Sequence, residues 1–301
     1  MLDHPLAGVH AAAVTPLHPN GTLDLAQVVP LLDHLARRGC HGALLFGTTG
    51  EGPSFSARER LDLCHTALGV RAGHPDFRLL AGTGTPSLDE TIQLTSATFA
   101  LGFDAAVVLP PYYFRRVDDD GLFAWYEAVL RRAVPTSGTL LGYHIPGISG
   151  VPLSLDLLAK LRAQFPDRFA GIKDSSADRA FAQSLGARFD DLLVLNGTDS
   201  LLEDALAVGA SGCITAAANL ISPDLRLVWD AHRTGGDPTA PMARVRTARA
   251  ALEPHLLPAM VKALLARRHG FPRWPLRPPL LPASPAAEEE VASAFDAAGI
   301  H

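Results

Sequence analysis

Eight short, almost wholly apolar runs recur through the first two-thirds of the chain, and segments with apolar residues at three- and four-residue spacing separate them. The runs cover residues 9–15, 42–46, 78–82, 105–110, 139–144, 169–173, 192–196 and 212–216. Runs this short read as strands, while segments 24–38, 57–70, 88–100, 122–133, 153–164, 178–187 and 200–208 carry the helical period. Ser56, Ser87 and Ser154 stand where helix N-caps belong, and Gly39, Gly102 and Gly209 where helices stop. Strands that alternate with helices pair in parallel through crossovers. Strands that lack polar alternation are covered on both faces. Eight such units in about 230 residues predict an α/β fold, a (β/α)8 barrel. An open doubly wound sheet is the alternative. No G-x-G-x-x-G follows the first run to support its dinucleotide-binding form, and Gly82-Thr83-Gly84 reads as a tight βα turn.

After Ser222 the texture changes. Residues 223–232, 240–254 and 256–269 read as successive helices, a proline-rich stretch excludes helix over 272–282, and 286–298 forms a last helix. The expected division is residues 1–222 for the barrel's strands and helices. Residues 223–301 then supply the last barrel helix and a helical appendage packed on the barrel. With 48% hydrophobic residues the chain has ample material for a core, so it is not a disordered chain. A net charge of −5 without a basic run argues against nucleic acid as partner; Arg267-Arg268-His269 reads as a helix C-terminus. Cys40, Cys64 and Cys213 show neither disulfide nor zinc spacing and are expected to be buried free thiols in a reducing cytoplasm. Residues 1–10 have no signal-peptide pattern, and the least charged stretch, 205–221, is too short and too polar to span a membrane.

In a barrel, chemistry sits at the C-terminal ends of the strands. Those ends read Gly47-Thr48-Thr49-Gly50-Glu51, Pro110-Pro111-Tyr112-Tyr113, Tyr143-His144-Ile145-Pro146 and Lys173-Asp174-Ser175-Ser176. Lys173 carries the strongest signal. Of 26 basic residues only Lys160, Lys173 and Lys262 are lysines, so the chain uses Arg wherever a plain charge suffices. Lys160 and Lys262 are expected to be solvated charges on helices, whereas Lys173 ends the buried run Phe169-Ala170-Gly171-Ile172. Burial favours a neutral amine, which is a nucleophile; Arg stays protonated. A nucleophile and an ion pair with Asp174 are both open readings of Lys173.

Amine attack on a carbonyl needs proton transfer, which phenols bridged by a hydroxyl can supply. Tyr143, Tyr113 and Thr48 stand at strand ends, although each tyrosine could equally serve core packing. The Gly47–Gly50 turn offers hydroxyls and backbone N–H groups to an anion. Glu51 reads as structural, and His144 should point away from the barrel interior. Asp118-Asp119-Asp120 reads as a solvated helix N-terminus and Glu288-Glu289-Glu290 as a solvated helix face. No metal-ligand cluster, P-loop or G-x-S-x-G occurs, and neither metal nor cofactor is expected.

The chain resembles the family of dihydrodipicolinate synthase and N-acetylneuraminate lyase, pyruvate-dependent class I aldolases. The resemblance is carried in order by Val14-Thr15-Pro16, GTTGE at 47–51, AGTG at 81–84, PPYY at 110–113, YHIP at 143–146, GIKDSS at 171–176 and Arg277-Pro278-Pro279-Leu280. It implies a (β/α)8 barrel with extra C-terminal helices and a Schiff base between Lys173 and the keto carbon of pyruvate. It implies Tyr143 as the acid/base, with Thr48 and Tyr113 completing a relay. Tyr113, or its neighbour Tyr112, would reach across a dimer contact, so a homodimer or homotetramer is implied. Thr49 would hold the pyruvate carboxylate, with Gly47, Ile214 and Ile148 as further substrate-binding positions. Ile148 stands where dihydrodipicolinate synthases usually carry an Arg that grips the aldehyde's carboxylate, and an apolar side chain makes no such pair. The expected activity is therefore that of a pyruvate-dependent lyase, aldolase or dehydratase on another 2-keto acid, such as a 2-keto-3-deoxy sugar acid. The alternatives are dihydrodipicolinate synthase proper, borrowing Arg115 or Arg116, and a keto-acid-binding paralogue without catalysis.

Overall fold

Each of the eight apolar runs pairs in parallel with the next, and the last pairs with the first. The computed structural model describes residues 3–301. Its strands are β1 Gly8–Ala12, β2 Gly42–Leu45, β3 Arg78–Gly82, β4 Ala105–Val108, β5 Thr139–His144, β6 Phe169–Asp174, β7 Leu193–Asn196 and β8 Gly212–Thr215. The helices are α1 Val28–Arg37, α2 Ala57–Ala67, α3 Leu88–Ala100, α4 Asp119–Ala133, the one-turn α5 Pro146–Ser149, α6 Leu155–Gln164, α7 Arg179–Arg188, α8 Leu202–Ala207, α9 Ala218–Thr234, α10 Thr239–Leu252, α11 Leu257–His269 and α12 Pro285–Ala297. The expected (β/α)8 barrel is thus present, and α10 to α12 follow its last helix.

Strand ends differ from the expectation where another partner claims the backbone. β1 stops at Ala12 because Val14 N–H donates to the Asn219 side chain, 3.3 Å away, and Thr15 Oγ1 donates to Gly50 O at 2.6 Å. β4 stops at Val108, two residues before Pro110-Pro111, which lack N–H donors. α4 begins earlier than expected because the Asp118 carboxylate accepts from Gly121 N–H at 2.8 Å. α9 begins at Ala218, ahead of the expected residue 223: Ile221 has a non-helical backbone, and Pro223 opens the segment beyond it.

Apolar residues pack in an inner and an outer layer. The interior is filled by side chains such as Leu44, Leu80, Val107, Leu141, Leu195 and Ile214. Outward-facing strand residues pack on the helices in two larger clusters. The three cysteines are buried and free. Two charge expectations are corrected. Lys262 is not a solvated charge but is buried with Glu51, because α11 is covered along most of its length. Glu288 is not on a solvated face either, since Arg273 folds over it with two hydrogen bonds. Among the described residues no helix is long and apolar enough to cross a membrane.

One irregularity governs the site. Along β5 the partner of Leu140 is Phe169, but the partner of Leu141 is Gly171. β6 therefore carries one extra residue, a β-bulge. Phe169 and Ile172 both face the helices, which strict alternation forbids for residues three apart. Without the bulge Lys173 would share Phe169's outward face; with it, Lys173 turns into the barrel. Gly171 permits this, since a Cβ there would lie 1.9 Å from Leu193 O. Because backbone rather than a flexible side chain blocks the space, Gly171→Ala should cost about 2–3 kcal/mol. Urea unfolding measures it, and unchanged stability would show that the bulge tolerates a side chain.

Candidate active site

β5 and β6 pair so that Tyr143 lies beside Lys173 and His144 beside Asp174. Register partners share a face of the sheet, so one pair points inward and the other outward. Outward, the His144 ring stacks on Phe181 at 4.4 Å and its Nδ1 accepts from Leu153 N–H at 2.9 Å. Asp174 accepts from Ser176 N–H at 3.0 Å, and among the described residues it makes no ion pair with Lys173. Inward, Lys173 Nζ stands 4.1 Å from the centroid of the Tyr143 ring. The Tyr143 hydroxyl and Thr48 Oγ1 hydrogen-bond at 3.1 Å. Both Lys173 and Tyr143 are buried. Burial alone would push the Tyr143 phenol up. The positive charge of Lys173 outweighs it, together with hydrogen bonds from Thr48, Lys173 and Ser175, and the phenol falls below its ordinary value.

The turn after β2 completes the floor. Phe46 and Glu51 bracket it with left-handed backbones, at φ 55° and 56°. Such conformations are uncommon for residues other than glycine and gather at functional sites. The turn closes on itself through Glu51 N–H to Thr48 O and Gly52 N–H to Gly47 O, each 3.1 Å. Among the described residues the N–H groups of Thr48 and Thr49 donate to no protein acceptor. Two free N–H groups flanked by hydroxyls make a nest that can hold an anion. The turn seats closely on β3: a Cβ at Gly82 would lie 2.4 Å from Phe46 O.

Above this floor opens a cavity of about 600 Å³. Thr48, Thr49, Tyr143, Lys173, Ile148 and Ile214 all line it. Gly47 does not; a Cβ there would meet the Leu44 side chain at 3.0 Å. Tyr113 is also outside, 76% exposed and edge-on to Phe114 at 5.3 Å, so a single chain does not bring it to Tyr143. Ile148, on α5, is half open to solvent and offers no charge. The wall opposite holds groups that the sequence did not single out, among them Arg179, Arg249 and Glu253. Arg249 reaches in from α10, 3.7 Å from the buried Asp199 and 3.8 Å from Glu253. Burial pushes the Asp199 carboxyl up. Arg249 lies on an ordinary amphipathic helix about 75 residues beyond Lys173, and such an arginine normally reads as a surface charge.

Known proteins share this architecture. The model of the dihydrodipicolinate synthetase family matches residues 5–298. A DapA-like lyase of Chloroflexus aurantiacus is 38% identical over 287 residues, covering 95% of this chain and 94% of the relative. 4-Hydroxy-tetrahydrodipicolinate synthase 2 of Streptomyces coelicolor is 32% identical, covering 98% and 96%. The crystal structure of the dihydrodipicolinate synthase of Cyanidioschyzon merolae with lysine bound superposes with a TM-score of 0.91 at 27% identity, covering 99% of this chain and all of that one.

The inward pair makes a titration prediction. Tyr143→Phe should remove a component of phenolate absorbance that rises below the ordinary tyrosine range. Lys173→Ala should move that component upward, because the cation that favours phenolate is gone and burial remains. Tyr126 and Tyr112, which burial shifts upward, should not respond. An unmoved component in Lys173→Ala would mean that the two groups do not interact.

Proposed function

The chain belongs to the dihydrodipicolinate synthetase family, and on that premise we propose that it makes or breaks carbon–carbon bonds through an imine on Lys173. The membership makes it a lyase of the class I aldolase type. The observation that carries the residue assignment is the juxtaposition of Lys173, Tyr143 and Thr48 beside the free N–H groups of the turn.

The carboxylate of pyruvate, or of a similar 2-keto acid, docks on the N–H groups and hydroxyls of Thr48 and Thr49. That orients the keto carbon toward Lys173 Nζ. The amine attacks, and the carbonyl oxygen takes two protons, one shed by the amine and one delivered through Tyr143, to leave as water from the carbinolamine. The resulting protonated imine withdraws electrons from the adjacent methyl, which gives a proton to the Tyr143 phenolate and leaves an enamine. The enamine carbon attacks the aldehyde carbon, and the new alkoxide takes a proton from the relay. Water then hydrolyses the imine and restores Lys173, so the net product is a 4-hydroxy-2-keto acid. Cleavage is the same path reversed. Thr48 passes the proton between Tyr143 and a second phenol, for which Tyr113 of another copy is proposed. Its exposure, next to exposed Phe114 and Val117, suits a contact between copies, hence a homodimer or a larger homo-oligomer. Buried free thiols suit a reducing compartment, the cytoplasm.

Ile148 at the mouth favours an aldehyde without a carboxylate to be gripped there, such as the chain of a 2-keto-3-deoxy sugar acid. One observation favours a second reading. The Arg115 side chain lies against Gly150, two residues past Ile148, where a Cβ would be 2.7 Å from Arg115 Cδ. A cation there keeps dihydrodipicolinate synthase activity open.

Borohydride added with pyruvate should leave one reduced adduct, on Lys173, detected by peptide mass spectrometry. Lys173→Ala should give none. Tyr143→Phe should slow turnover about 10²–10⁴-fold, the usual value of general acid–base catalysis. Absence of any adduct sinks the proposal. Turnover of aspartate semialdehyde, lost in Arg115→Ala, would favour the second reading over cleavage of a sugar acid.

A further inference from the structure

Glu51 and Lys262 lie 211 residues apart and meet at 2.5 Å, with side chains 0% and 1% exposed. Neither touches the cavity described above. Every remaining bond their side chains make runs to one short piece of the tail. Lys262 Nζ also donates to Pro275 O at 2.7 Å, and the second Glu51 oxygen accepts from Arg277 N–H at 3.0 Å. Arg277 in turn reaches over Phe55 and donates to Ser54 O at 2.8 Å, Gly21 O at 3.0 Å and the Glu59 carboxylate at 2.5 Å. The cluster binds α11 and residues 275–277 to the segment that leaves the Gly47–Gly50 turn.

Two charges so deeply buried are a poor way to gain stability, since desolvation offsets most of their attraction. Fixing one geometry is the better-attested use of such a pair. The geometry at stake is adjacent. Glu51 holds the left-handed backbone that ends the turn, and its N–H bonds to Thr48 O. Thr48 supplies a free N–H to the nest and a hydroxyl to Tyr143. A shift of Glu51 is therefore a shift of Thr48.

We propose that Glu51 and Lys262 are positioning residues that clamp the keto-acid carboxylate turn, and that this is a role of the C-terminal helices in the reaction. The proposal rests on the reading of that turn as the carboxylate holder. It also explains why a second buried lysine is no competing nucleophile, because Lys262 is held in an ion pair.

The test compares Glu51→Gln, Lys262→Met and the double variant. The readouts are Tm and the pyruvate dependence of proton–deuterium exchange at the pyruvate methyl. Each single variant leaves a lone buried charge or polar group and should melt several degrees lower. The double variant should regain most of that Tm, because no charge remains unpaired. Its KM for pyruvate should nevertheless stay raised by about tenfold to a hundredfold, with a smaller change in kcat, as a small misplacement of binding groups produces. If a single variant fails to fold, the double variant carries the comparison. A double variant with parental KM overturns the proposal and leaves the pair purely structural. A parent protein that forms no borohydride-trapped pyruvate adduct overturns the carboxylate reading as well, so the two failures are distinguishable.

Discussion

The register between β5 and β6 is the constraint on which the site depends. Parallel partners sit a strand spacing apart, so a phenol and an amine placed opposite each other must interact. The bulge in β6 decides that they do so inside the barrel rather than among the helices. The closed sheet then supplies rigidity, since every strand has two neighbours and no free edge along which to slip.

The electrostatics follow from that placement. Burial of Tyr143 penalises its phenolate, yet the charge of Lys173 and the surrounding hydroxyls reverse the balance. The same low-dielectric surroundings would penalise any bound anion, and beside Lys173 the turn offers backbone dipoles to one. Dipoles built into a strained turn need no reorganisation when charge arrives, which is the advantage of a preorganised site. The strain has to be held, and the Glu51–Lys262 pair with Arg277 lies where it can hold it. Removing one partner of such a pair typically costs about 3–5 kcal/mol, mostly by leaving the other charge buried alone.

The cavity's two ends follow different rules. Its floor is fixed by strand ends and one turn. Its walls draw on α5, α10 and the loops after β6 and β7, which barrels vary without disturbing the strands. Ile148 and Arg249 both belong to this variable part. On the proposed reading, substrate choice is a property of the walls and imine formation a property of the floor.

Most of the floor was legible in the sequence. Apolar runs with both faces hidden announced eight parallel strands, and a lone lysine ending one run stood out against an arginine-rich background. Thr48, Thr49 and Tyr143 stood at the ends of other runs, where barrel chemistry gathers, and Lys173, Thr48, Thr49 and Tyr143 all line one cavity. Three features were not legible. Alternation from Phe169 sends Lys173 outward, and only the paired strand reveals the extra residue that turns it in. Lys262 on its helix looks like any solvated lysine, because burial on all sides depends on what α9, α12 and the tail place around it. Arg249 faces the cavity only because α10 packs where it does. Local pattern encodes the period of each element and the chemistry at its ends. Facing, burial and partnership between residues far apart in the chain arise when the elements close on one another, and only the tertiary structure decides them.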